Sequence, residues 1–322
     1  MRIVHLSHFD PAATGWNLTE AIRGHSPLHE SYSVAVQATQ SGKHRDASPL
    51  DEPERVAALC EAADVLVFHC GTWDWSEKHQ GMDAGFFEID THECDAYKRW
   101  ADPAKGVIWL DGSVAVRSHV EKWRERYRGW RICATNPDVA ALYRGEWLPA
   151  CVRRDVDVGA FQVTRHIREQ RVLRHPYTDM YLKGADKVVR AVSGMRPTWD
   201  FRPIASLPHD ACLREMQDAD AIVDHFQGYF GVVAMEATAM GLPVVLKLSP
   251  LTLDAMARYG WPVPGNWLHV ENEGALRPRL EALLATPESG LDEYRAAALG
   301  WHERCGRNAD KAARFIEWLA RN

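Results

Sequence analysis

The chain has 322 residues, a formal net charge of −6 and 46% hydrophobic residues, enough for two domains of about 150 residues each and a sizeable core in both. The charge excludes a protein that coats nucleic acid indiscriminately, though not one with a local basic groove. Seven cysteines are scattered without any C-x2-C spacing, which indicates neither a disulfide framework nor a zinc site and suits a reducing cytoplasm. The opening MRIVHLSHFD has too short an apolar run for a signal peptide, and no stretch approaches the roughly 18 apolar residues of a membrane span. Membrane contact is therefore expected to be peripheral at most. The thirteen tryptophans suit either carbohydrate stacking or core packing.

In chain order, the patterning predicts strands over 3–6, 32–36, 65–69 and 107–110, with helices over 16–23 and 52–62. The second half repeats the alternation: a strand over 171–174, a helix over 185–193, a strand over 201–206 and a helix over 211–219. Strands over 221–226 and 244–248 then flank a further helix, and an amphipathic helix over 309–321 ends the chain. Strands alternating with helices imply an α/β fold, here two Rossmann-like doubly wound domains with a ligand cleft between them. The boundary falls at 150: residues 1–150 form one domain, 151–322 the other, and 151–163 is a polar hinge. No G-x-G-x-x-G follows the first strand, which argues against a dinucleotide-dependent dehydrogenase.

Chemistry concentrates at strand ends. Asp111 and His69 close two first-domain strands, where a carboxylate or imidazole can orient or deprotonate a hydroxyl; a turn-forming Asp-Gly pair and a hydrogen-bonded structural histidine are the alternatives. Between 117 and 131, Arg117, Lys122, Arg124, Arg126, Arg128 and Arg131 face only Glu121 and Glu125, with Trp123, Tyr127 and Trp130 interleaved. Such a run suits an anionic acceptor, either nucleic acid or lipid headgroups, or else is a solvated helix face. In the second domain, DHFQGYFGVVAMEATAMGLPVVL reads as strand, glycine turn, helix and strand. Backbone N–H groups around Gly231 lack intrahelical partners and suit a diphosphate. Glu236, isolated on an apolar helix, calls for hydrogen-bond donors such as vicinal ribose hydroxyls unless it is solvated or locally satisfied.

FGVVAMEATAMGLPVV resembles the signature of the retaining glycosyltransferases of family 4, through Phe230, Gly231, Glu236, Ala237, Ala239, Gly241, Pro243 and Val244. SHFDPAATGWNLTEAIR, WLDGSVAVR, ICATNPDVAALYRGEWLPACV and HPYTDMYLKGADKVVRAV are similar to further family segments in the same order across most of the chain. The resemblance implies the GT-B fold, two Rossmann-like domains facing a central cleft, with the last helix (about 306–322) crossing back to the first domain. It implies a nucleotide-diphosphate sugar as donor, transfer to a hydroxyl acceptor, no cofactor and no metal. Residue by residue, it assigns Glu236 to the ribose, Lys183 to the diphosphate and Gly15 to a close approach of the first loop. Gly231 with its neighbours Tyr229 and Phe230 would donate N–H groups to the donor, and Ser113 would line the acceptor side with Arg117, Arg124 and Arg128.

Two positions depart from the family pattern. Gly228 stands where the family has a Glu eight residues before the ribose carboxylate, and Thr178 stands where an Arg precedes the lysine. Asp224 is a candidate substitute for the missing acid or a structural strand-end acid; Arg174 is a candidate substitute for the missing cation, with a hydroxyl hydrogen bond from Thr178. The DxD-like pairs Asp155/Asp157 and Asp218/Asp220 are common by chance. Loss of two donor-site residues leaves open a non-catalytic sugar-nucleotide-binding relative, and the fold class also admits a sugar-nucleotide epimerase or a phosphorylase. The donor base, the sugar and the acceptor, whether glycan, lipid or modified DNA, are set by pocket shape rather than by motif.

Overall fold

The computed structural model describes residues 1–8, 13–36, 45–75, 85–112, 114–161, 163, 170–177, 183–205 and 207–322, without the side chains of 71–75, 85–89, 114 and 115. The chain divides into two units, Met1–Cys151 with Asn308–Asn322, and Val152–Arg307.

In the first unit, β1 (Arg2–Ser7), β2 (Glu30–Ala35), β3 (Val65–Trp75), β5 (Gly106–Leu110), β6 (Arg131–Ala134) and β7 (Glu146–Trp147) form a parallel sheet in the order β2-β1-β3-β5-β6-β7. The strands are nearly continuous apolar runs because helices cover both faces of such a sheet. The strand expected over 65–69 continues to Trp75, since β4 (Gly85–Ile89) pairs antiparallel with its outer half, Gly71 opposite Ile89 and Trp75 opposite Gly85. His69 is therefore inside a strand rather than at its end. Ile3, Val67, Val107 and Trp109 pack against Leu18 and Ile22 of the helix Thr14–His25 and against Ala312, Phe315 and Leu319 of the helix Asn308–Arg321. The three- and four-residue spacings put the pair on one face of its helix and the trio on one face of the other. Lys311 Nζ, buried in that last helix, donates to the Ala150 carbonyl at 3.0 Å and pins the chain where its first pass through the unit ends.

The second unit holds β8 (Val172–Tyr177), β9 (Asp200–Ala205), β10 (Ala221–Val223), β11 (Val244–Leu246) and β12 (Trp267–His269), all parallel, in the order β12-β11-β10-β8-β9. The chain leaves β8 for β9 on one side and returns to β10 on the other. Outside the carboxyl ends of β8 and β10 lies the switch point at which ligands bind in doubly wound sheets. β8 runs past Arg174 to Tyr177 because β9 pairs with it along that whole length, whereas β10 pairs with it only at Leu173 and Arg174. Beyond that register the proline has a neighbour on one side only, where a missing N–H is tolerated. β10 stops at Val223, three residues short of the expected end, and the chain from Asp224 turns toward the switch point. Among the described residues, no helix is long and apolar enough to cross a membrane.

The first unit's own switch point, between β1 and β3, is closed by two histidines. His5 Nδ1 lies 3.1 Å from His69 Nε2, His69 stacks on Trp109 at 5.4 Å, and His5 contacts Phe315. Burial drives both imidazoles below their ordinary range, His69 to about 3, and His69 beside it adds to the lowering of His5. Both rings are neutral at neutral pH, so one donates to the other. The unfolded chain takes up protons below about pH 6.5 while the folded pair resists, so this contribution is full above that pH and is lost as pH falls. We expect His69 alone to cost about 2 kcal/mol of stability between pH 7 and pH 5. Urea unfolding at the two pH values checks this, and His69→Gln should show a correspondingly smaller drop.

Candidate functional site

At the second unit's switch point a buried acid collects its donors. Asp224, 0% exposed and directly after β10, has Oδ1 2.5 Å from Lys183 Nζ, while Oδ2 accepts the Gly231 N–H at 2.9 Å. Burial alone would raise this carboxyl; the charges of Lys183 and His225 and the two hydrogen bonds outweigh it and hold the group at about 2. Lys183 follows β8, and Gly231 is the N-cap of the helix Val232–Ala239. The pair thus ties both sides of the crevice together. His175 on β8 is fully buried, donates from Nδ1 to the Val223 carbonyl at 2.9 Å, and has an Nε2 with no hydrogen-bond partner among the described residues. Burial lowers its pKa to about 4, so it is neutral.

The glycine turn explains the departure at Gly228. Its φ is +97°, in the left-handed region, and its carbonyl accepts from the Ser249 N–H and the Thr252 hydroxyl, each at 2.7 Å. A Cβ there would lie 3.0 Å from Ser249 Cβ, so a glutamate at this position would be strained in backbone and packing alike. At Gly231 a Cβ would sit 3.3 Å from both Lys183 Nζ and His225 Nε2. Tyr229 and Phe230 are buried, the first against His225 and bonded to Gln227, the second on Trp267 at 4.7 Å. Backbone alone is what these two offer a ligand.

Glu236 is 2% exposed, and its Oε1 accepts from His209 Nε2 at 2.7 Å. His209 begins the helix His209–Gln217. Arg153 bonds Asp155 at 2.8 Å and Asp210, and Glu236 is close enough to raise its pKa. Sequence reasoning missed both His209 and Arg153; the one available signal was that a buried carboxylate must find a donor somewhere. Arg174, the suggested replacement cation, is buried against Glu215 at 3.2 Å and Asp218 at 3.7 Å. Thr178 and Ser113 lie outside the described residues.

In the first unit, Asp111 directly follows β5, and its N–H bonds the Cys70 carbonyl at 3.0 Å. The next residue is locked: a Cβ on Gly112 would fall 2.0 Å from Asn136 Oδ1, and Arg117 donates to the Gly112 carbonyl while bonding Asp138 at 2.6 and 3.0 Å. Arg124 donates to the Leu142 carbonyl at the end of the helix Pro137–Tyr143, and Arg128 pairs with Glu125. Arg117 is at the carboxyl edge of the sheet, after β5, whereas Arg128 lies three residues before β6, toward the amino edge. The structure does not bring these three arginines together. Gly15 is buried in the first turn of the helix Thr14–His25, after Ala13 with its left-handed φ of 51°.

Among the described residues one Cys/Asp/His group, Cys70, Asp90 and His92, has its ligand-type atoms within 4.8 Å of one another. Asp90 Oδ2 already has Arg126 at 2.8 Å, and His92 Nδ1 is 2.5 Å from Asp90 Oδ1, closer than the about 3.3 Å separating two ligands of one tetrahedral ion. A buried charge cluster describes it better than a metal centre. The DxD-like acids have structural partners: Asp155 pairs with Arg153, Asp157 with His302 at 3.3 Å, Asp218 with Arg174, and Asp220 accepts the Val172 N–H at 2.7 Å.

Removing one member of the Lys183–Asp224 pair should reveal how the charge is held. Lys183→Met leaves a buried, uncompensated carboxylate and should cost about 3–5 kcal/mol in urea unfolding. The double variant Lys183→Met/Asp224→Asn, in which the amide oxygen still accepts from Gly231, should recover most of that loss. A loss under about 1 kcal/mol in the single variant would contradict this reading.

No protein-family model matches the chain, and no curated protein matches it by sequence. Solved structures do match its fold. An alpha-glucosyltransferase in complex with UDP and a 13-mer DNA containing an HMU base superposes with a TM-score of 0.63 at 12% identity, over 99% of each chain. A glycosyltransferase from Rickettsia africae gives 0.61 at 11% identity, covering 98% of this chain and 97% of its own. WaaG, a glycosyltransferase of lipopolysaccharide biosynthesis, gives 0.53 at 14% identity over 98% and 99%. With two Rossmann-like units and end-to-end likeness to these enzymes, the chain has the GT-B fold.

Proposed function

We propose that this protein is a retaining, metal-independent glycosyltransferase that moves a sugar from a nucleotide-diphosphate donor to a hydroxyl acceptor. The observation that carries the proposal is the convergence at one switch point of Lys183, the N-terminus of the helix Val232–Ala239 and the buried Glu236. A nucleoside diphosphate needs a cation and backbone N–H groups for its phosphates and an acceptor for its ribose diol, and all three arise within one unit. As the anomeric carbon–oxygen bond breaks, its electron pair passes to the departing phosphate, whose growing charge Lys183 and the helix N-terminus stabilise. The acceptor hydroxyl attacks from the same face and gives its proton to that phosphate, so no protein carboxylate acts as a nucleophile. Asp111, on its locked turn, is the candidate to orient the acceptor hydroxyl. His69 is a poor base, because burial lowers its pKa to about 3 and its ring sits within a strand.

Support for the donor class comes from the likeness in fold to an alpha-glucosyltransferase complexed with UDP-glucose and DNA. The same likeness makes DNA bearing a hydroxymethylated base the first acceptor to try. All seven cysteines are free thiols, which suits the reducing cytoplasm. One observation favours a second reading, a non-catalytic sugar-nucleotide binder: Asp224 already neutralises Lys183 and takes the Gly231 N–H. In the catalytic reading the donor diphosphate shares Lys183 with Asp224 and uses the N–H groups beyond Gly231.

The test is a thermal-shift comparison against uridine, guanosine, adenosine and cytidine diphosphate sugars, with Glu236→Ala alongside. A ligand at about 100 times its Kd stabilises the folded state by about 2.7 kcal/mol, a rise of a few degrees in Tm. We expect one nucleotide class to give this rise and the variant to lose it, followed by turnover with a hydroxyl acceptor. Binding without turnover or donor hydrolysis would favour the second reading, and no stabilisation at millimolar concentrations would refute both.

A further inference from the structure

We propose that His209 is a positioning residue for the nucleoside, holding Glu236 so that its carboxylate keeps acceptor capacity for the ribose diol; this rests on the donor site proposed above. The imidazole reaches Glu236 from a different helix: Nε2 stands 2.7 Å from Oε1, and the residue is anchored as the first of the helix His209–Gln217, directly after Pro208. Glu236 needs such a partner, because it is 2% exposed on a helix with no charged residue in its first or last turn. An ionised carboxylate offers about four acceptor positions, so one bond from His209 leaves room for two ribose hydroxyls. The bond also fixes the rotation of the carboxylate, which a lone glutamate on a single helix would not do.

The charges around the pair point the same way. The groups acting on His209 are Glu236, Arg153 and Asp155. Arg153 is held by Asp155 and Asp210, which leaves His209 as the group hydrogen-bonded to Glu236. Cys212, further along the same helix, has its thiol pushed up to about 12 by burial and then by Glu236, so it stays neutral. Burial lowers the basicity of His209, but the attraction of Glu236 outweighs it and the pKa is raised. Protonated, the ring balances the carboxylate beside which an anionic diphosphate must dock. As pH rises through the raised pKa the balance is lost, and donor affinity should fall.

The experiment measures UDP binding by calorimetry from pH 6 to pH 9 for the wild type, His209→Gln and His209→Leu, with GDP, ADP and CDP as further probes. Histidine ring titration by NMR in the ligand-free protein is followed alongside. Gln keeps an N–H donor near the place of Nε2 but is uncharged at every pH; it should bind across the whole range about as the wild type does at pH 9, with the pH dependence lost. Leu removes the donor and should weaken binding roughly 10- to 100-fold. In the ligand-free protein the His209 pKa should lie above 6.5 and fall in Glu236→Gln. Leu binding as tightly as wild type, a pH profile retained in Gln, or a His209 pKa indifferent to Glu236→Gln would each overturn the inference while leaving the donor site standing. Failure of every nucleotide to bind the wild type would overturn the donor site itself, and with it the role of His209.

Discussion

The second unit is organised around one buried charge. Asp224 leaves β10 with no solvent to donate hydrogen bonds to it, and burying an ionised carboxylate without partners is prohibitive. Its solution is to take Lys183 from the segment after β8 and the Gly231 N–H from the start of the next helix. The segment after β8, the end of β10 and the start of the next helix are thereby fixed around the carboxyl ends of two neighbouring strands. The glycine turn between them is clamped by Ser249 and Thr252 on the Gly228 carbonyl, which leaves no room for a side chain. A cation, the open end of a helix and a buried acid one and a half turns along it follow from that arrangement, and these are the groups a nucleoside diphosphate requires.

The first unit has the same strand logic with different chemistry at its switch point. There a neutral histidine pair, stacked on Trp109 and touching Phe315, fills the space between β1 and β3. His5 Nδ1 and His69 Nε2 satisfy one another while His5 Nε2 has no hydrogen-bond partner among the described residues, and the C-terminal helix seals the sheet beneath them with Ala312, Phe315 and Leu319. Charge is pushed to the turn after β5, where Arg117 and Asn136 hold the Asp111–Gly112 backbone in place. An apolar, neutral switch point in one unit and an ionic one in the other fit a division in which the nucleoside diphosphate is taken by the second.

Much of this was legible in the sequence wherever the determinant was local. Alternating apolar strands and helices announce two doubly wound units, and the glycine turn with Glu236 follows β10 at the switch point of the second. Strand limits were read less well where pairing decided them: β3 is lengthened by the antiparallel β4, and β10 ends early because Asp224 turns away to its partners. The partners of the arginine run lie mostly outside it and are not legible from its own sequence. Asp138, Asp90 and a helix-end carbonyl at Leu142, brought in by the fold, take up three of those guanidinium groups. His209 was illegible for a related reason, since it meets Glu236 only after two helices pack and no spacing rule connects them.

The most direct measurement is a crystal structure of the protein with UDP bound. The account requires the diphosphate to lie against Lys183 and the first N–H groups of the helix Val232–Ala239, with the ribose hydroxyls on Glu236 while His209 keeps its bond to the same carboxylate. Nucleotide bound elsewhere in the molecule, or in this unit without contact to Lys183 and Glu236, would contradict it.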